Sequence, residues 1–99
     1  MQPKVAGIVW FKSQADYSAI LAISEDAGTM AQTYDAWLVG ANKIFEHVKS
    51  RGMIPVRAEI DPETFAEWCK GRSLRINAQG RSEFANWKAA EYLRDNGMI

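Results

Sequence analysis

The 99 residues carry twelve basic and twelve acidic side chains, and so even a balance sets up no global field toward nucleic acid or an anionic membrane. At 47% hydrophobic and 24% charged residues the composition excludes disorder, and the length allows one domain over 1–99 with one core. A single cysteine, Cys69, excludes an internal disulfide framework and suits the reducing cytoplasm.

The first element is the run Val5-Ala6-Gly7-Ile8-Val9-Trp10-Phe11, bounded by Lys4 and Lys12. It is too short to cross a membrane and has no cleavage pattern behind it. Being apolar at nearly every position, it reads as a strand covered on both faces. A helix opens at once. Ser13 is placed to cap it, Asp16 favours its positive end, and Tyr17, Ile20 and Leu21 share a face, with Gly28 as the expected stop. The second helix has the clearest period: Tyr34, Trp37, Leu38, Ala41, Ile44, Phe45 and Val48 recur at spacings of three and four. Asp35, Lys43, Glu46 and Lys49 fall outside that stripe, and Gly52 ends the helix.

Met53 to Ile60 reads as a second strand, with Val56, Ala58 and Ile60 alternating with Arg57 and Glu59. Pro55 has no N–H for a ladder and belongs at the strand's start or at an edge. Asp61-Pro62-Glu63 then opens a helix whose buried face is Phe65, Trp68 and Cys69, closed by Gly71. Residues 72–80 read as a loop, followed by a last helix from near Ser82 to about Asp95. Its apolar residues lie all round the wheel, so its packing face is not defined.

The order strand-helix-helix-strand-helix-helix gives an α+β or α/β fold, a small two-stranded sheet packed with helices. If the stretch between the strands is a helical crossover, the strands run parallel. The halves also rhyme: Ser13, Tyr17, Ile20 and Leu21 match Asp61, Phe65, Trp68 and Cys69 at one constant offset, as a duplicated strand-helix-helix unit would. The rhyme carries few identities, and any two amphipathic strand–helix units share it. Two strands alone are marginal in water, so a homodimer that extends the sheet is expected.

Chemistry-bearing residues are sparse. His47, the only histidine, lies off the apolar stripe with no nucleophile or orienting carboxylate assigned to it. With Cys69 on a different helix and an apolar face, the two do not make a zinc site. Asp16 and Asp61 act at helix starts, Glu59 points outward on its strand, and no Gly-rich turn joins a strand to a helix. No catalytic residue, metal or cofactor is implied.

One charge cluster remains. Lys70, Arg72, Arg75 and Arg81 form a basic stretch without an acid, whereas Asp16, Glu25, Asp26 and Asp35 are the only charges from 13 to 35. The expected anion site is Arg72, Arg75 and Arg81, converging beside the start of the last helix. The leading functional expectation is a self-associating interaction module in the cytoplasm, a dimer. Weak anion or nucleic-acid binding through those arginines comes second. Third is a small-ligand enzyme with a pocket lined by Trp10, Trp37 or Trp87, where Arg57 or a loop arginine fixes a carboxylate.

Overall fold

A computed structural model describes residues 4–97. Strands β1 (Val5–Trp10) and β2 (Ile54–Glu59) pair in parallel, in register from Val5 opposite Ile54 to Trp10 opposite Glu59. Between them run helices α1 (Gln14–Ile23) and α2 (Tyr34–Ser50); after them come α3 (Pro62–Gly71) and α4 (Ala78–Asp95). The element order is the expected one, and the strands are parallel. Among the described residues, no helix is long and apolar enough to cross a membrane.

The helix starts follow from their caps. Ser13 accepts from the Asp16 N–H at 3.1 Å, Thr33 from the Ala36 N–H at 3.1 Å, and Asp61 from the Thr64 N–H at 3.1 Å. Two ends differ from the sequence reading. Helix α1 stops at Ser24, whose hydroxyl donates to the Ile20 carbonyl at 2.7 Å, while Gly28 lies in a short 3-10 turn over Ala27–Thr29. Helix α4 starts at Ala78 rather than near Ser82, because the Asn77 side chain accepts from the Gly80 N–H at 3.0 Å. Arg81 is therefore a helical residue and not a loop residue.

The two second helices lie on opposite faces of the sheet. Ile8 and Trp10 pack with Trp37, Leu38, Ala41, Phe45 and Val48 of α2. The alternate positions of β1 face α4, which crosses so closely that a Cβ on Gly7 would sit 2.1 Å from the Ala85 carbonyl oxygen. Past the strand ends, Phe11 and Ile60 pack with Tyr17 and Ile20 of α1 and with Phe65 and Cys69 of α3. Trp37 joins the two cores, 5.4 Å from Trp10, 5.0 Å from Phe11 and 5.7 Å from Tyr17, ring centre to ring centre. The α2 stripe is less covered than its period implies: Ile44 is 55% exposed.

Candidate functional site

The three arginines have three different surroundings. Arg81 is buried and grips Asp26 with both ends of its fork, at 2.7 and 3.1 Å, while also donating to the Ser24 hydroxyl at 3.3 Å. Asp26 accepts from the Ala78 N–H as well, and the Arg81 hydrogen bonds hold its carboxyl below the usual range. Arg75 meets Glu25 at 3.0 Å, and Glu25 also accepts from the Asn77 side chain at 2.8 Å. Arg72 is exposed and stacks over Trp68 at 4.3 Å, with Trp87 at 5.5 Å. Two carboxylates from the acidic half of the sequence thus meet two cations from the basic half, within one chain.

The other singled-out residues are also dispersed. His47 is exposed on α2, whereas Cys69 is buried, and burial pushes its thiol pKa up. Trp10 is buried, with Arg57 stacked over it at 4.7 Å and over Phe45 at 4.1 Å. Trp87 lines a hollow of about 320 Å³ with Trp68, Phe84 and Lys88, and Trp37 lines a separate cleft. The tryptophans do not share one pocket.

That cleft, about 530 Å³, runs along the edge of β1 between α2 and α4. Its floor is the strand itself, from Ala6 to Val9, and none of its lining residues is charged. Small residues keep it open: Ala36 and Gly40 on α2, Ser82 and Ala85 on α4.

The backbone explains why this edge is free. Lys4 and Trp10 turn their carbonyls to β2, accepting from the Ile54 and Ile60 N–H groups at 2.9 Å each. In a parallel pair the groups alternate, so Val5, Gly7 and Val9 turn theirs away from β2. Among the described residues, no hydrogen bond reaches the backbone groups of these three. The opposite edge, formed by Pro55, Arg57 and Glu59, is different: it lacks one N–H and carries two charges. Those are the devices that keep a strand edge from pairing.

Sequence reasoning anticipated an unpaired edge without locating it. Which strand is open depends on register, and the available signal was the contrast between an uncharged Val5–Val9 and the Pro55–Glu59 stretch. No family model, curated protein or solved structure matches this chain.

Proposed function

We propose that the protein is a self-associating interaction module of the cytoplasm, in which the open edge of β1 takes up an added strand. The observation that carries this reading is the asymmetry of the sheet. One edge is blocked by Pro55, Arg57 and Glu59; the other is uncharged, unpaired and the floor of an apolar cleft. An added strand supplies hydrogen bonds for Val5, Gly7 and Val9 and relieves the marginality of two strands. Ile44, 55% exposed on α2 and lining the same cleft, gains cover there.

Light scattering over a concentration series tests it. The expected mass is about twice the 11.1 kDa chain at micromolar concentration. Val5→Pro, which removes an outward N–H and leaves the β2 ladder intact, shifts the mass back toward the monomer. A wild-type monomer at every concentration would overturn the reading.

A second reading, weak polyanion binding, draws on the exposed Arg72 and on Arg75, whose side chain stays 80% exposed beside Glu25. Arg81 is already neutralised by Asp26. Tryptophan fluorescence titration with heparin separates wild type from an Arg72→Gln, Arg75→Gln variant if this reading holds. Equal responses at low salt retire it.

A further inference from the structure

Resting on the strand-addition reading, the geometry points to a second copy of this chain as the occupant, joined β1 to β1 in antiparallel register with Gly7 facing Gly7. Three observations lead there. First, the β2 edge is blocked, so a copy has only its own β1 edge to offer. A head-to-tail β1-to-β2 contact would leave a further edge open at each step; a twofold β1-to-β1 contact closes after two chains. Twofold symmetry also requires that the two strands run antiparallel.

Second, the outward row is Val5, Gly7, Val9, and it reads the same from either end. With the twofold axis at Gly7, Val5 faces Val9 of the other copy, and Gly7 faces itself. Each facing pair exchanges both of its N–H···O bonds, so no outward group of the three is left over. A slip of two residues leaves one of the three without a facing partner from this row. A slip of one misaligns all of them.

Third, a twofold axis brings like against like, so any charge near it meets its own copy. The cleft lining contains none. On α2, nothing lies within 4 Å of where a Cβ on Gly40 would stand, and Ala36 and Ile44 are one turn away on either side. That small-residue row leaves space for the equivalent helix of the second copy on the same face. Its contribution is needed, because a stable interface takes about 800 Å² from each partner, more than one short strand provides.

Disulfide trapping tests the register. Val5→Cys and Val9→Cys chains, one carrying a size tag, are mixed and oxidised; Cys69 is buried and stays out of the reaction. The expected product is the mixed dimer, in which the Val5→Cys chain is bridged to the Val9→Cys chain, with little cross-linking of either chain alone. Trapping of Val5→Cys with itself, or no mixed product from chains that light scattering shows to be dimeric, overturns the register and leaves self-association standing. Monomeric wild type in that measurement overturns both. Gly40→Lys gives an independent check in chains without an added thiol: its circular dichroism matches wild type, while association weakens by about tenfold or more as two ammonium groups face each other. Undiminished association of that variant contradicts the proposed axis.

Discussion

Helices α2 and α4 form the two walls of the cleft, yet they are built on opposite plans. Helix α2 has the regular apolar stripe but buries only Ala41 fully, leaving Val39 and Ile44 in the open. Helix α4 has no clear stripe but buries Gly80, Arg81, Phe84, Ala85 and Ala89. The difference is one of approach distance. Small residues let α4 press its backbone onto β1 at Gly7, and its buried Arg81 is satisfied by Asp26 rather than by water. A stripe of large apolar side chains shows what a helix has to bury. It does not show that one chain buries it.

The largest expected contrast is in the two helices' side chains. Phe84→Ala, 6% exposed and in edge contact with Phe65 and Trp68, should cost about 3–5 kcal/mol in chemical denaturation. Ile44→Ala, measured at concentrations where the chain is a monomer, should cost less than about 0.5 kcal/mol. Similar costs would mean that the two walls are packed alike, contradicting that contrast.

Next come Arg81, in the first turn of α4, and Arg75, in the loop before it. Arg81→Gln leaves the Asp26 carboxylate without its partner and should cost about 2–4 kcal/mol, whereas Arg75→Gln, exposed, should cost about 0.5 kcal/mol or less. Acid sharpens the comparison. Arg81 lowers the Asp26 pKa below its ordinary 3.8, so the pair stabilises the fold above that value and is lost as pH falls through the lower, folded one. Denaturation midpoints from pH 5 to 2 should therefore fall further for wild type than for Arg81→Gln. Parallel curves would contradict the linkage.

The glycines give the third test. Gly7→Ala places a methyl against the Ala85 carbonyl and should destabilise by about 2–3 kcal/mol, since backbone has to move. Gly40→Ala meets nothing within 4 Å in the monomer and should stabilise α2 by about 0.5–1 kcal/mol. Thermal melts of the two variants should shift in opposite directions.

Much of this fold is legible in the residues. The caps at Ser13 and Asp61, the stripe of α2 and the alternation of β2 are local signals, and each element they mark is present. The differences arise where distant residues decide. Helix α4 begins four residues early because Asn77 caps it and because Glu25 and Asp26 hold that junction from the far side of the chain. Gly28 reads as a stop, but Ser24 ends α1 through its own hydroxyl. After α3 the positive φ is taken by Ser73 (56°), not by Gly71. At the candidate site, the uncharged run of β1 and the guarded composition of β2 are both visible. Their meaning as an open and a closed edge requires the parallel register, which no local pattern supplies.

The most direct measurement of the central claim is amide hydrogen exchange at Val5, Gly7 and Val9 against protein concentration. These N–H groups point away from β2, unpaired in a single chain and bonded to another strand in the proposed assembly, so they should exchange slowly in concentrated protein and quickly on dilution. The amides of Ala6 and Ile8, which β2 already occupies, should change little over the same range. Fast exchange at Val5, Gly7 and Val9 at every concentration would contradict the account, because the β1 edge would then be open in solution as well.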